Sequence, residues 1–238
     1  MNVALIFAGG TGQRMNSKSK PKQFLEMHGK PIIIYTLEYF NEHPEIDAIC
    51  IVCLYGWEKE LERLLTSYNI HKVKWVTTGG ETGHDSIFNG LKVMKNDLQD
   101  KDVVIIHDGV RPLISKELID KNIKTVALYG NSITVEKANE SIVQINDNGI
   151  IDNVPSRAKM RIAKAPQCFR FEEIWTVHEQ AQKDGFKSID SAHLLHYYGH
   201  TLHTVESTPY NIKIATPSDF YVFRALFEAM ENSQIFGI

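Results

Sequence analysis

Cysteine is scarce in this chain. Of its 238 residues only Cys50, Cys53 and Cys168 carry a thiol, too few for a disulfide framework. Cys50 and Cys53 imitate a C-x-x-C motif, but they lie in the apolar run ICIVC. Side chains three apart on a strand face opposite ways, so buried thiols are expected there rather than a metal or redox pair. Long apolar runs are missing too, and none approaches the about 20 residues of a membrane-spanning helix. The first residues enter an apolar strand without the charged and apolar regions of a signal peptide. No membrane partner and a cytoplasmic, cytosolic location are therefore expected. Cationic excess is also lacking, since 26 Lys and Arg face 29 Asp and Glu for a net charge of −3. No basic field advertises nucleic acid. Repeats, low-complexity stretches and linkers are absent. The remaining composition, 43% apolar and 23% charged, is that of a soluble globular chain with a core. One α/β domain over 1–238 is expected.

What is present gathers in residues 3 to 25, VALIFAGGTGQRMNSKSKPKQFL. Val3 to Ala8 has the length of a buried parallel strand. Gly9, Gly10, Thr11 and Gly12 follow, where backbone N–H groups can converge on phosphate oxygens. Arg14, Lys18, Lys20 and Lys22 supply cations. A Walker loop is excluded because no lysine directly follows Gly10 or Gly12. A dinucleotide fingerprint is excluded because Met15 stands where a third glycine is required. An ordinary strand-to-loop turn with a solvated basic rim would explain the glycines alone, but not their join to Arg14 and to Pro21-Lys22-Gln23.

Along the chain, apolar strands alternate with amphipathic helices. Strands are expected at 46–54, 73–77 and 102–107. Helices are expected from Pro31, over 58–68, from Asp85 as N-cap to 98, and over 115–129. This rhythm predicts an α/β fold: a Rossmann-like, mostly parallel sheet covered by helices on both faces. The loops after Ala8, Thr77 and His107 all lie at strand carboxyl ends, where such sheets bind ligands. Between about 133 and 162 the covering helix disappears. Short strands around Asp147-Asn148-Gly149 there predict a projecting β-arm. The rhythm then resumes with helices at 171–183 and 190–198, strands at 201–206 and 211–215, and a last helix opened by Pro217.

AGGTGQRM followed by PKQFL closely resembles the cytidylyltransferases that activate polyol phosphates, namely the methylerythritol-phosphate and ribitol-phosphate enzymes. Further motifs extend the resemblance over roughly residues 3 to 220. It implies transfer of a cytidylyl group from CTP to a polyol phosphate. Phe7, Ala8, Gly9, Gly10, Thr11, Gly12, Gly80, Glu81, Asp85, Ser86 and Asp108 are then expected to bind CTP. Gly79-Gly80-Glu81 with Asp85-Ser86 resembles the base-recognition segment, although Gly83 replaces a common arginine there. Arg14 and Lys22 are expected to be catalytic, stabilising charge on the α-phosphorus. Arg111, Ser141, Arg157, Asp190 and Lys213 are expected to position the acceptor.

His107-Asp108-Gly109-Val110-Arg111-Pro112 makes Asp108 the candidate ligand of a divalent cation, Mg²⁺. The competing reading is a structural ion pair between Asp108 and Arg111. Val110 and the AGG loop favour the ribitol branch. Ala165-Pro166-Gln167 and Ile189-Asp190-Ser191-Ala192 depart from the threonine-containing family motifs on the acceptor side. Lys213, in the apolar run NIKI, requires an anion if buried, whereas snorkelling to the surface is the bland alternative. His193, His196 and His200 are read as a partly exposed helix face. The resemblance also implies a homodimer in which the arm reaches a second subunit's site. A sugar-1-phosphate nucleotidyltransferase and a non-catalytic nucleotide-binding scaffold remain as alternatives.

Overall fold

The computed structural model of the chain describes the backbone of residues 1–10 and 20–236, with side chains as far as 232. The expectations placed on Thr11, Gly12 and Arg14 lie outside the described residues. In chain order the elements begin with β1 (Asn2–Ala8), a 3-10 turn (Lys22–Phe24) and a small hairpin of β2 (Glu26–Met27) and β3 (Lys30–Pro31). Next come α1 (Ile32–Glu42), β4 (Ala48–Cys53), α2 (Glu58–Ser67), β5 (Val73–Thr78), α3 (Gly83–Met94), β6 (Val103–Asp108) and α4 (Lys116–Tyr129). After these come β7 (Asn131–Lys137), β8 (Gln144–Ile145), β9 (Ile151–Asn153) and β10 (Arg161–Arg170). The chain closes with α5 (Phe171–Asp184), α6 (Ser191–Tyr197), β11 (Thr204–Glu206) and α7 (Pro217–Phe236).

Seven strands form the main sheet in the order β11-β7-β10-β6-β1-β4-β5. Neighbours run parallel except at β10, which is antiparallel to both β6 and β7. The alternation of β1 explains the layers. Val3 and Leu5 face α3, α5 and α6, whereas Ala4, Ile6 and Ala8 face α1, α2 and α4. Two apolar layers thus sandwich the sheet, as a parallel arrangement requires. Cys50 joins one layer and Cys53 the other. Burial pushes both thiols up to about 12, so they remain protonated packing groups. Among the described residues no helix is long and apolar enough to cross a membrane.

Three expectations need correction. β7 belongs to the main sheet, with Ile133 and Val135 buried in the core, so the exposed excursion starts later than 133. Its strands β8 and β9 pair only with each other, and β10 returns the chain to the core. Second, Asn211 to Ala215 is not a strand; Ile214 donates its N–H to the Val110 carbonyl, without a ladder. Third, Thr82 rather than Asp85 caps α3. Its hydroxyl accepts from the Asp85 N–H while the Asp85 carboxylate accepts from the Thr82 N–H. In this reciprocal capping box the aspartate sits three residues inside the helix.

Candidate active site

The carboxyl ends of β1, β5 and β6 converge, and glycine lets their loops touch. A Cβ on Gly9 would lie 2.9 Å from the Gly79 Cα, so only glycine permits this approach of the loops after β1 and β5. A Cβ on Gly80 would lie 2.4 Å from the Asp85 Cβ. The loop after β1 is held from below by Gln23 in the PKQ turn. Its buried amide donates to the carbonyls of Ala8 at 2.6 Å and Gly10 at 3.2 Å. The loop after β5 is tied by Ser86, whose Oγ accepts from the Gly80 N–H at 3.1 Å and donates to the Thr82 carbonyl at 2.9 Å. Lys187 approaches the Asp85 carboxylate at 3.1 Å and Glu81 at 3.8 Å. The Thr82 and Lys187 contacts outweigh burial and lower the Asp85 pKa.

These loops surround a cavity of about 350 Å³ whose wall includes Phe7, Ala8, Gly9, Gly10, Lys22 and Gly80, together with Glu81, Ser86, Asp108 and Lys213. Asp85 lies behind this wall, bracing the turn. A second cavity of about 340 Å³ adjoins it and is lined by Asp108, Arg111, Lys164, Gln167, Asp190 and Lys213 among others. Phe7, Gly83, Asp108 and Lys213 line both.

At this seam Asp108 is buried, and each carboxylate oxygen has a cation. Oδ1 meets the Lys213 ammonium at 2.5 Å. Oδ2 accepts from the Arg111 Nε at 3.2 Å and Nη2 at 3.1 Å. Burial opposes ionisation, but the Lys213 and Arg111 charges outweigh it and hold the carboxyl down at about 2. Arg111, itself buried, also donates from Nη1 to the Asn211 carbonyl at 2.7 Å. The loop-fixing ion pair weighed from the sequence is therefore present, and Arg111 lines the second cavity as well. His107, immediately before, is fully buried, with Nε2 3.1 Å from the Arg111 carbonyl oxygen. Burial, reinforced by the Arg111 charge, pushes it down to about 3. Lys213 stands over the Phe7 ring at 5.7 Å and is only half-buried, so its ammonium reaches both the carboxylate and the seam.

Lys164 of the second cavity escaped the sequence reading, and Gln167 entered it only as part of the Ala165-Pro166-Gln167 motif. Lys164 pairs with Glu136 and donates to the Asn211 carbonyl at 3.2 Å. The signal was a lysine beside Ala165-Pro166-Gln167, on the strand that re-enters the sheet. Gln167 donates to Asp190 Oδ2 at 3.2 Å and accepts from the Ala192 N–H at 2.9 Å. Asp190 caps α6 by accepting from the His193 N–H at 2.7 Å. Ser141 and Arg157 line neither cavity; both are exposed, and Arg157 donates to the Asn139 carbonyl at 3.2 Å. His193 and His196 are exposed, and His200 pairs with Glu173 at 2.9 Å. Among the described residues no three His, Cys, Asp or Glu side chains form a metal cluster. Mg²⁺ is commonly held by one or two carboxylates and by substrate phosphates, and here it would share the Asp108 carboxylate with Lys213 and Arg111.

The family model described as "IspD: 2-C-methyl-D-erythritol 4-phosphate cytidylyltransferase" matches residues 2–229. The chain is 48% identical over 238 residues to a ribitol-5-phosphate cytidylyltransferase of Vibrio parahaemolyticus, covering 100% of both chains. It is 48% identical over 239 residues to that of Streptococcus agalactiae serotype III, again covering 100% of each. A 2-C-methyl-D-erythritol 4-phosphate cytidylyltransferase of Clostridium botulinum is 35% identical over 229 residues, 96% of this chain and 98% of its own. Among solved structures, the 4-diphosphocytidyl-2C-methyl-D-erythritol synthase of Anaerococcus prevotii superposes with a TM-score of 0.83 at 28% identity, over 95% of this chain and 96% of the other.

Proposed function

The chain belongs to the IspD family of cytidylyltransferases, and we propose that it transfers the cytidylyl group of CTP to ribitol 5-phosphate, yielding CDP-ribitol and pyrophosphate. The full-length likeness to ribitol-5-phosphate cytidylyltransferases carries the choice of acceptor. The adjoining cavities suit the chemistry, one at the glycine loops for the nucleotide and one beyond Asp108 for the acceptor.

An acceptor phosphate oxygen attacks the α-phosphorus of CTP. A new P–O bond forms as the bond to the β-phosphate's bridging oxygen breaks, and pyrophosphate leaves with that electron pair. The nucleophile is already anionic near neutral pH, so the reaction requires no general base. The protein's work is to hold two polyanions in line and stabilise the charge that gathers between them. Lys22 reaches that region from the PKQ turn, and Arg14 is assigned the same role from its place in the glycine loop. Preorganised cations act most strongly where charge develops in the transition state. Lys213 positions the acceptor phosphate at the seam, while Arg111 acts through Asp108 and the Asn211 carbonyl. Asp190 acts through Gln167 and the start of α6. Asp108 is the residue that would hold Mg²⁺, which when bound neutralises triphosphate charge.

In this reading the exposed excursion between β7 and β10 clasps a second copy of the chain. Ser141 and Arg157, which line neither cavity of their own chain, then serve the neighbour's site in a two-fold dimer. Ile145, Ile150, Ile151 and Val154 are all more than half exposed there, and such apolar patches mark contact surfaces. Consumption of CTP supports a cytoplasmic location for the reaction.

Pyrophosphate release tests the function when CTP, UTP, ATP and GTP are each crossed with ribitol 5-phosphate, arabinitol phosphate, methylerythritol phosphate and glucose 1-phosphate. The expected maximum is CTP with ribitol 5-phosphate. A higher specificity constant for methylerythritol phosphate reassigns the acceptor, and silence in every combination removes the catalytic reading.

A further inference from the structure

The cavity beyond Asp108 is lined by a residue whose buried hydroxyl has no hydrogen-bond partner among the described residues. Because Asp108 and Lys213 line both cavities, donor and acceptor phosphates must meet beside them. With the nucleotide at the glycine loops, the acceptor's carbon chain points the other way, toward Ala163, Gln167, Ile189, Asp190 and Ser191. The polar groups on that side are nearly all committed. Both oxygens of Asp190 accept, one from the His193 N–H and one from Gln167. Gln167 uses its oxygen on the Ala192 N–H and its nitrogen on Asp190. Arg111 is held by Asp108 and the Asn211 carbonyl. Lys164 is held by Glu136 and the same carbonyl.

The Ser191 hydroxyl differs. The residue is 2% exposed, it lines the cavity, and its Oγ has no hydrogen-bond partner among the described residues. Buried hydroxyls are rarely left so, because they lose their bonds to water without replacement. We infer that the Ser191 hydroxyl binds a hydroxyl of the polyol chain and so helps set which acceptor is used; this rests on the transfer reaction proposed above. The match is chemical, since a serine hydroxyl both donates and accepts, as does each hydroxyl of a polyol. Phe7, Ile87, Ile106, Ala163 and Ala165 give the cavity apolar walls, and a hydrogen bond gains strength in such surroundings. The bond from the Ala192 N–H to Gln167 fixes the adjoining backbone, while the hydroxyl itself is covered in this structure and would reach the acceptor by a turn about the Ser191 Cα–Cβ bond.

The test compares wild type with Ser191→Ala on ribitol 5-phosphate and on analogues lacking one hydroxyl each, reading pyrophosphate release and thermal midpoint. The expected result is a loss of about tenfold in acceptor kcat/KM for Ser191→Ala, with the KM for CTP and the thermal midpoint retained. One deoxy analogue should lose a similar factor on wild type and little more on Ser191→Ala, because the same bond has been removed from its other end. Unchanged acceptor kcat/KM overturns the inference. So does a variant that unfolds or loses CTP affinity, which would make the hydroxyl structural. If wild type releases no pyrophosphate with any acceptor, the transfer reading fails instead. Calorimetric binding of ribitol 5-phosphate to the two proteins then decides the role of Ser191, equal affinity counting against it.

Discussion

Lys22 is the most informative single residue because it joins the nucleotide cavity to the PKQ turn that fastens the glycine loop. If it stabilises charge only as the α-phosphorus is attacked, Lys22→Ala lowers kcat by on the order of a hundred- to thousandfold. The KM for CTP should change little. Arg14→Ala is expected to behave alike. Steady-state kinetics with CTP varied at saturating ribitol 5-phosphate separates the two parameters, and a rise in KM alone would assign the residue to ground-state binding. At this scale the sequence was readable where a motif combines unlike residue types. Glycines, cations and PKQ together pointed to polyphosphate chemistry, and Gln23 shows why the motif is contiguous: its amide fastens the loop 13 residues earlier. Ser191 was not readable, because nothing in sequence separates a hydroxyl that lacks a partner from one that has found one.

Elements with a clear period were legible to within a few residues, since burial on both sheet faces demands unbroken apolar runs such as VALIF and ICIVC. The failures occurred where competing local patterns are equivalent in sequence. Thr82 and Asp85 are both good caps, and only the reciprocal hydrogen bonds decide between them. Asn211 to Ala215 has a strand's composition, yet Lys213 is drawn to Asp108 and Ile214 to Val110. β7 looked like part of the arm because no helix follows it. The packing of α5 against α3 has a pH consequence that no pattern announces. His178 stacks on Phe88, with ring centroids 5.4 Å apart, and lies 4.6 Å from the His84 ring. Neither ring nitrogen of His178 has a partner among the described residues. Burial, with His84 adding and Asp85 opposing, pushes it down to about 3 from an ordinary value of 6.5. Between those values the unfolded chain binds the proton and the folded one does not. The stability present above pH 6.5 is therefore lost progressively as pH falls toward 3. Each such histidine contributes a slope of about 1.4 kcal/mol per pH unit, and His107 acts in the same direction. Urea unfolding between about pH 7 and about pH 5 should show the decline, and His178→Phe should reduce it because the ring remains and the proton site does not. An unaltered slope in that variant would remove His178 from the account.

The molecule as a whole is proposed to work in pairs. Mixing Lys22→Ala with Arg157→Ala distinguishes an arm that serves its neighbour from one that serves its own domain. In the first case each mixed dimer has one doubly damaged site and one intact site, so activity returns after subunit exchange. In the second every site keeps a defect. Verified exchange without recovered activity, or full activity in a strict monomer by sedimentation, overturns the shared site. The sheet order carries a different consequence, one for synthesis on the ribosome. β1, translated before its neighbours, lies inside the sheet, with β4 on one side and β6 on the other. Its second edge is satisfied only when residues 103–108 have emerged, and the following neighbour, β10, waits for the whole excursion to be made. Until then a nascent chain offers an apolar strand with an open edge, the kind of surface that chaperones recognise and aggregates recruit. The strand that builds the nucleotide loop is thus also the one longest in need of protection.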